Sequence, residues 1–327
     1  MSIPLQFSAF RIHADRMGVE HLGIDELNPG EITVQVAYSS VNYKDALAGT
    51  GQGKILRQFP LIGGIDLAGI VVATDDLRFR VGDSVVVTGC GLSETRDGGY
   101  SQYQRVQASS AVALPSGLSL REAMLIGTAG FTAALSLWRM QQAGQRADQG
   151  PIVVTGASGG VGTLAIDIFT QAGFEVHAIS GKSERFPLLH TLGAKRCIAR
   201  QELQYAVRPL ETAVWAGAVD NVGGSMLGHL TRVMQPWGNI ASCGMAGGIA
   251  LESTVMPFII RGISLLGINS ANTPMALRSE LWLRLASDWK PAHLAEIETA
   301  EINLNGLTDA FARVLSGASV GRTLVKL

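Results

Sequence analysis

Cysteine is scarce in this sequence, and its spacing excludes two common uses of the residue. Only Cys90, Cys197 and Cys243 occur among the 327 residues, far apart and with no Cys-x-x-Cys pair. An odd number of distant cysteines provides neither a disulfide framework nor a structural zinc knuckle. We therefore expect packed thiols and a reducing compartment.

Charge is also sparse and almost balanced. Asp, Glu, Lys and Arg make up 16% of the chain and the formal net charge is −1, whereas about 25% of residues are usually charged. Such a balance gives no general attraction to nucleic acid or anionic lipid. The first residues show no basic segment followed by an apolar run, and the uncharged stretches are too short or too interrupted to span a bilayer. We expect a cytoplasmic protein without nucleic-acid or membrane partners.

Glycine, by contrast, is abundant, and the pattern around it changes along the chain. There are 39 glycines among 327 residues, against a usual level of about 7%. Alternating apolar and polar residues over 31–39, with further strand patterns at 65–74 and 81–88, predict a compact, partly barrel-like β domain. From Pro151 onwards a βα alternation with six predicted strands favours a doubly wound parallel sheet.

A helix is predicted between these two regions. Ser119 and Glu122 form a capping box, in which each residue can satisfy a free amide of the other. The helix that follows should run toward Trp138, and Gly127 and Gly130 are expected to interrupt it.

The strongest motif is a glycine-rich turn over residues 155–162, with the sequence Thr-Gly-Ala-Ser-Gly-Gly-Val-Gly. It lies between a predicted strand and a predicted helix, which is the context of a dinucleotide-binding turn. Gly156 would allow the tight turn, and Gly162 would allow close packing of helix on strand. The helix N-terminus then offers free amides to a diphosphate. The alternative is a glycine-rich turn without a ligand; a Walker A loop is excluded because no Gly-Lys-Ser/Thr follows.

The end of the second strand of this unit indicates which dinucleotide binds. NAD sites usually place an acidic residue there for the ribose hydroxyls. This sequence instead has Ser180-Gly181-Lys182, with Arg185 or Arg200 as further cations. Hydroxyls and positive charge suit the 2′-phosphate of NADPH, with Lys182 as the main candidate. The alternative is a solvated helix start with chance charges.

A short-chain dehydrogenase is excluded in spite of its similar glycine pattern. That family needs the turn near its N-terminus and a catalytic Tyr-x-x-x-Lys. None of the tyrosines at positions 38, 43, 100, 103 and 205 is followed by lysine four residues later.

The sequence resembles the medium-chain dehydrogenase/reductase superfamily. Within it, the match is to the zinc-free quinone oxidoreductase branch and its bacterial acrylyl-CoA reductase type. The motifs that carry the resemblance cover nearly the whole chain, at 40–46, 64–69, 127–133, 155–162, 214–220, 243–248, 254–259 and 321–326. The resemblance implies an α/β fold: a GroES-like β-rich catalytic domain over 1–120 and 270–327, and a Rossmann NADPH-binding domain over 121–269.

The resemblance also implies that no metal takes part. Zinc-dependent members carry Cys-x-His and Gly-His-Glu where this chain has Asn42-Tyr43-Lys44 and Gly64-Ile65-Asp66, and the four-cysteine structural lobe is absent. Hydride addition to a conjugated C=C can proceed without a metal to stabilise an alkoxide. We expect Asp66 to be a buried structural carboxylate, and Lys44 and Asp45 to pair with each other.

The resemblance also implies roles for individual residues. Tyr43 and Asn42 are the predicted catalytic residues, and Tyr43 is also expected near the nicotinamide; packing against the cofactor is the alternative role for Tyr43, and water is the alternative proton source. Lys182 stands where many relatives have Arg, so the NADPH preference is expected to be weaker. The predicted cofactor-binding residues are Tyr43, Ser158, Gly159, Gly160, Val161, Ser180, Gly181, Lys182, Arg200, Met245, Ile259, Ser270 and Arg322.

Three functions are consistent with these residues. The first is NADPH-dependent reduction of acrylyl-CoA to propanoyl-CoA. The second is a quinone or alkenal reductase with the same cofactor, and the third is a non-catalytic NADPH-binding protein. The resemblance further predicts a homodimer joined through residues 264–269.

Overall fold

Segments with alternating or continuous apolar residues form the β-strands. Their bounds are β1 Phe7–Ile12, β2 Met17–Leu22, β3 Ile32–Ser40, β4 Leu61–Ile62, β5 Asp66–Thr74, β6 Ser84–Thr88, β7 Tyr103–Val106, β8 Val112–Ala113, β9 Ile152–Thr155, β10 Val176–Ser180, β11 Ala194–Ala199, β12 Trp215–Asp220, β13 Met234–Ser242, β14 Ser264–Gly267, β15 Glu298–Ile302 and β16 Arg322–Lys326.

The α-helices fall between these strands. Their bounds are α1 Tyr43–Gly49, α2 Leu120–Gln142, α3 Gly160–Gln171, α4 Phe186–Thr191, α5 Gly224–Val233, α6 Met256–Arg261, α7 Met275–Leu285, α8 Leu294–Ile297 and α9 Leu307–Leu315. Along the part of the chain that is described, no helix is both long enough and apolar enough to cross a membrane.

The computed structural model describes residues 3–327, which divide into two units. The first unit contains the chain up to Thr128 together with Ser270–Ala286 and Glu298–Leu327. The second unit contains Ala129–Asn269 and Ser287–Ile297. The predicted domains differ from these units at residues 121–128, which lie in the first unit, and at 287–297, which lie in the second.

Both differences have local causes. The predicted capping box forms at the start of α2, where Ser119 N and Oγ both donate to Glu122 Oε2 at 2.8 Å. The helix then breaks at Gly127, whose φ of 49° lies in the left-handed region. The second break that was predicted, at Gly130, does not occur, because Gly130 is helical. In the second unit, the amide of His293 donates to the buried Asp167 Oδ2 on α3 at 2.9 Å, which holds residues 287–297 there.

The first unit contains two sheets. A seven-stranded sheet has the order β15-β16-β3-β5-β6-β8, with β7 also paired to β3, and a three-stranded sheet has the order β2-β1-β4. The β3–β5 pair is antiparallel and sets Tyr38 opposite Ala68. As a result, the end of β3 and the start of β5 lie side by side, and both carry polar residues.

The second unit is a six-stranded parallel sheet with the order β11-β10-β9-β12-β13-β14. In chain order this is third, second, first, fourth, fifth and sixth, the doubly wound arrangement of dinucleotide-binding domains. The strands β9 and β12 are buried along their whole length, as expected for a sheet covered on both faces. The predicted fold class, a GroES-like domain with a Rossmann domain, is confirmed.

Candidate functional site

Predicted site residues lie in both units. In the second unit, the glycine-rich turn links β9 to α3 and has the backbone that the motif predicts. Gly156 has a φ of 57°. A Cβ on Gly162 would lie 2.4 Å from the carbonyl oxygen of Gly156 and 2.7 Å from Cα of Ala157, so no side chain fits there. The first amides of the twelve-residue helix α3 have no acceptor within the helix and can therefore bind an anion.

Two serines join the turn to the neighbouring strand. The hydroxyls of Ser158 and Ser180 lie 3.0 Å apart, and the two residues are only 6% and 2% exposed. The structure therefore brings the turn and the end of β10 together, as predicted for the diphosphate and adenosine ends of one nucleotide.

Positive charge gathers at the same edge of the sheet. Lys182 donates its amide to Ser180 Oγ at 3.1 Å, and burial lowers the pKa of its ammonium group. The guanidinium of Arg200 lies over Gly181, because a Cβ on Gly181 would be 3.2 Å from an Arg200 nitrogen. The acidic residue of an NAD site is absent from the end of β10, and Glu184 is exposed. This charge arrangement fits an adenosine 2′-phosphate.

The ends of β9 and β12 are joined by a group of polar residues that the sequence analysis did not predict. We call this group the polar frame. Thr155 Oγ1 donates to the buried Asp220 Oδ1 at 2.6 Å, and Asn221 Nδ2 donates to the Thr155 carbonyl oxygen at 2.8 Å. Asp220 Oδ2 accepts the amide of Gly223 at 2.9 Å. Burial raises the pKa of Asp220. The frame fixes β9 against β12. Its signal in the sequence was Asp-Asn at the end of a buried strand.

Met245 and Ile259 are 62% and 75% exposed. The Cα of Met245 lies near Gly223, since a Cβ built on that glycine would be 3.2 Å away. Ile259 lies on α6. The part of each in cofactor binding stays a prediction.

In the first unit, a buried polar cluster is centred on Asp66. We call it the Asp66 cluster; its members are Ser40, Asn42, Asp45, Asp66, Thr128 and Arg322. Asp66 is fully buried and accepts four hydrogen bonds: from Ser40 Oγ at 2.8 Å, Asn42 Nδ2 at 2.8 Å, Thr128 N at 3.0 Å and Thr128 Oγ1 at 2.5 Å. The structural role expected for Asp66 matches this geometry.

Asn42 joins the two carboxylates of the cluster. Its Nδ2 donates to Asp66 and, at 3.1 Å, to Asp45 Oδ2, while its Oδ1 accepts from Arg322 at 3.1 Å. Its amide also donates to Asp45 Oδ2 at 2.9 Å. Every polar atom of the Asn42 side chain is therefore bound within the protein.

Tyr43 is the first residue of α1 and differs from Asn42 in its environment. The residue is 43% exposed, and its hydroxyl makes no hydrogen bond to residues 3–327. The phenol is therefore available to a ligand.

The prediction that Lys44 and Asp45 pair with each other is wrong. Lys44 Nζ instead contacts Glu94 Oε2 at 2.6 Å, and Asp45 Oδ1 accepts the amide of Ile65 at 2.9 Å. Neighbouring residues on a helix point in different directions, so Lys44 faces outward while Asp45 faces the cluster.

Arg322 is 2% exposed and lies inside the first unit. It donates to the carbonyl oxygens of Leu125 and Val41, at 3.0 and 3.1 Å, as well as to Asn42 and to Ser40 Oγ at 2.7 Å. Burial lowers the pKa of its guanidinium. Most of its donors are engaged here, so its contact with a cofactor stays a prediction.

Ser270, another predicted cofactor-binding residue, is half-buried. Its carbonyl oxygen accepts a hydrogen bond from Arg278 at 2.8 Å.

The stability of the protein should depend on the protonation of Asp45. Burial, and then the negative charge of Asp66, raise the Asp45 pKa to about 7. Because the folded state binds this proton more tightly than the unfolded state, stability should fall as the pH rises from about 4 to 7 and level off above. We expect Asp45→Asn to lose this part of the slope, measured by denaturant unfolding from pH 4.5 to 8. The exposed Asp15→Asn serves as the control, and equal slopes in wild type and Asp45→Asn would contradict the prediction.

The residues of the Asp66 cluster do not fit a zinc ion. Within residues 3–327, no three His, Cys, Asp or Glu side chains are grouped so that they could hold a metal. At the positions of the zinc ligands of metal-dependent relatives, Asn42 and Asp66 are bound to protein groups.

Comparison with known proteins gives the family. Residues 28–116 match the alcohol dehydrogenase GroES-like domain, and residues 160–286 match the zinc-binding dehydrogenase family. A Ruegeria pomeroyi protein named acrylyl-CoA reductase AcuI is 43% identical over 94% of this chain and 93% of its own length. An Escherichia coli K12 protein provisionally given that name is 44% identical, over 94% of this chain and 95% of its own. A Bacillus subtilis protein provisionally named quinone oxidoreductase YhfP is 43% identical, over 94% of each chain.

Two solved structures are similar to this chain over almost its whole length. The yhdH oxidoreductase of Salmonella enterica in complex with NADP is 45% identical, has a TM-score of 0.94 and covers 98% of this chain and 99% of its own. The B. subtilis protein yhfP with NAD bound is 42% identical, has a TM-score of 0.95 and covers 99% of this chain and 100% of its own. The chain therefore belongs to the medium-chain dehydrogenase/reductase superfamily and, within it, to the group that includes AcuI and YhfP.

Proposed function

We propose that this protein reduces an activated C=C with NADPH, and that its substrate is acrylyl-CoA, which it converts to propanoyl-CoA. The observation that carries the proposal is the identity of 43–44% along almost the whole chain to proteins named acrylyl-CoA reductase. The positive charge at the end of β10 supports NADPH as the cofactor. The provisional name of YhfP supports a second candidate, a quinone or alkenal reductase.

The second unit has the residues to hold the cofactor. The amides of Gly160 and Val161, with the Ser158 hydroxyl, would bind the diphosphate, and Lys182 with Arg200 would bind the 2′-phosphate. The Gly159 amide already donates to the Gly156 carbonyl oxygen at 3.0 Å. When bound, NADPH supplies the hydride for the reduction. The close packing at Gly162 and the serine pair at the end of β10 support a dinucleotide site at this turn.

The first unit has the residues to handle the proton. Reduction of a conjugated thioester adds a hydride at the β-carbon and needs a proton at the α-carbon. Tyr43 is exposed, its hydroxyl binds no group of residues 3–327, and it is the proposed donor. Asn42 has no free polar atom, so we assign it to positioning: with Asp45 it fixes the start of α1, and hence the Tyr43 backbone.

The substrate is tested by following NADPH oxidation with acrylyl-CoA, crotonyl-CoA and 1,4-benzoquinone, with NADH as the cofactor control. A large preference in kcat/KM for acrylyl-CoA is the expected result. Turnover of the quinone with acrylyl-CoA ignored would establish the second candidate. NADPH binding without any turnover would contradict both and indicate a non-catalytic nucleotide-binding protein.

Tyr43→Phe tests the proton donor. We expect kcat to fall about 100-fold, because a positioned acid contributes about 10²–10⁴ to rate, while KM for NADPH stays the same. Tyr205→Phe, at another exposed tyrosine, should leave both constants unchanged. If Tyr43 only packs against the cofactor, the phenylalanine ring suffices, and Tyr43→Phe will match wild type whereas Tyr43→Ala will raise KM for NADPH.

A homodimer is the proposed assembly, and the cytoplasm the proposed compartment. β14 is an edge strand of the six-stranded sheet, and an edge strand offers unpaired backbone groups to a partner. Nearby elements of the same unit expose large apolar side chains: Trp237 by 77%, Ile260 by 61% and Leu265 by 36%. Sedimentation velocity at micromolar concentration should give a dimer, and a monomer there would contradict the proposal.

A further inference from the structure

A groove in the first unit lies outside every residue assigned so far. It has a volume of about 850 Å³ and is lined by the β1–β2 turn, the end of α1 and the loop that follows. Its volume is within the range of small-molecule sites. The side chains that give it chemical character are His13, Asp15, Arg16, Lys54, Arg57 and Phe59.

The groove has a surplus of positive charge. Among its described lining residues Asp15 is the one acid, against the three cations Arg16, Lys54 and Arg57. Glu20, outside the groove, contacts His13 at 2.7 Å and Arg16 at 3.0 Å. Arg57 lies 4.0 Å from Glu94, which is already engaged by Lys44. Lys54 is exposed and has no ion-pair partner among residues 3–327, so the charge that remains for a ligand centres on Lys54 and Arg57.

The loop that carries Lys54 is suited to phosphate. Residues 49–54 read Gly-Thr-Gly-Gln-Gly-Lys, and Gly51 has a φ of 67°. The amides of Gln52 and Lys54 donate to no other described residue. A glycine-rich loop with free amides next to a lysine is a general anion-binding arrangement.

An aromatic ring stands beside this charge. Phe59 lines the groove and is 51% exposed. An exposed phenyl face offers a stacking surface to a purine base. Phosphate-binding groups and a stacking ring in one groove are suited to a phosphorylated adenosine.

The position of the groove relates it to the substrate. The helix α1 runs from Tyr43 to Gly49, which is about 10 Å at a rise of 1.5 Å per residue. Tyr43 is at its first turn, and the groove is at its last. A pantetheine arm is long enough to join a thioester at the first turn to phosphates at the last. A quinone has no such arm.

We propose that this groove binds the 3′-phosphoadenosine diphosphate end of an acyl-CoA, through Lys54, Arg57 and the face of Phe59. This inference rests on the proposed function and extends it, because it separates a thioester substrate from a quinone. It also gives the first unit a nucleotide-binding surface of its own, made of other residues than those proposed to bind NADPH in the second unit.

Kinetics with two substrates test the groove. Acrylyl-pantetheine keeps the reacting thioester and lacks the phosphoadenosine. Lys54→Glu and Arg57→Glu are expected to raise KM for acrylyl-CoA about tenfold each, since bonds to charged groups are among the stronger ones. Both variants should leave kcat, and KM for acrylyl-pantetheine, unchanged. Arg80→Glu, an exposed arginine of the same unit outside the groove, is the matched control and should behave as wild type.

A binding measurement separates this inference from the proposed function. Coenzyme A is titrated by calorimetry into protein saturated with NADP⁺, so that the NADPH residues are filled. Weaker binding in Lys54→Glu and Arg57→Glu than in Arg80→Glu supports the groove, even if wild type fails to turn over acrylyl-CoA and the proposed function falls. Unchanged affinity and unchanged KM in both variants would overturn the groove while leaving the proposed function intact. No binding of coenzyme A to wild type would also overturn it.

Discussion

Arg322→Met is expected to destabilise the protein by about 3–5 kcal/mol, the usual effect of removing one partner of a buried charge pair. The substitution removes the cation that lies 4.0 Å from the buried Asp66 carboxylate. It also leaves the carbonyl oxygens of Val41 and Leu125 without their donor. Denaturant unfolding at pH 7 measures the loss.

The cause is isolated by a double-mutant cycle. In Arg322→Met combined with Asp66→Asn, both charges are gone, so we expect the double variant to lose less than the sum of the two single losses. Additive losses would contradict an electrostatic coupling. Arg322→Lys keeps the charge but not the planar set of donors and should be intermediate. If Arg322 also contacts the cofactor, this folded variant will show a raised KM for NADPH; an unchanged KM would restrict the residue to the cluster.

One further glycine shows how closely the Asp66 cluster is packed. A Cβ on Gly127 would lie 2.7 Å from Asp66 Oδ2 and 2.8 Å from both Arg322 and Ser40 Oγ. The break in α2 therefore has a packing cause as well as a conformational one. The glycine lets the helix end against a carboxylate, and the next amide, of Thr128, binds that carboxylate directly.

The sequence predicted the local parts of the site and missed the distant ones. The turn over 155–162 lies within one strand and one helix, so its glycine spacing alone determines its geometry. The Asp66 cluster, by contrast, joins Ser40 to Arg322 across 282 positions, and this contact depends on the pairing of β16 with β3. The Lys44 prediction failed for the same reason, because its partner Glu94 is 50 positions away. Family resemblance supplied Asn42 and Arg322, but not the bonds that occupy them.

Removing the positive charge at the end of β10 should reduce the preference for NADPH over NADH by about 100-fold. A charge-assisted hydrogen bond to phosphate contributes about 1.5–3 kcal/mol, so Lys182→Ala and Arg200→Ala are each expected to raise KM for NADPH about tenfold or more. KM for NADH should change little, because NADH has no 2′-phosphate. Steady-state kinetics with both cofactors measure the ratio, and Lys195→Ala, an exposed lysine on β11, is the control.

The reverse substitution gives an independent check of the same charge. Lys182→Arg keeps the cation and adds a planar pair of donors that can bind a phosphate with two bonds, so it should lower KM for NADPH. The advantage of wild type over the alanine variants should also shrink as salt is added, since the groups involved are partly solvent-exposed. An equal loss with NADH and NADPH would instead mean that Lys182 and Arg200 hold a part of the nucleotide common to both, and that the preference arises elsewhere. A loss confined to NADPH would place the 2′-phosphate at the end of β10, beside Gly181 and the Arg200 guanidinium that lies over it.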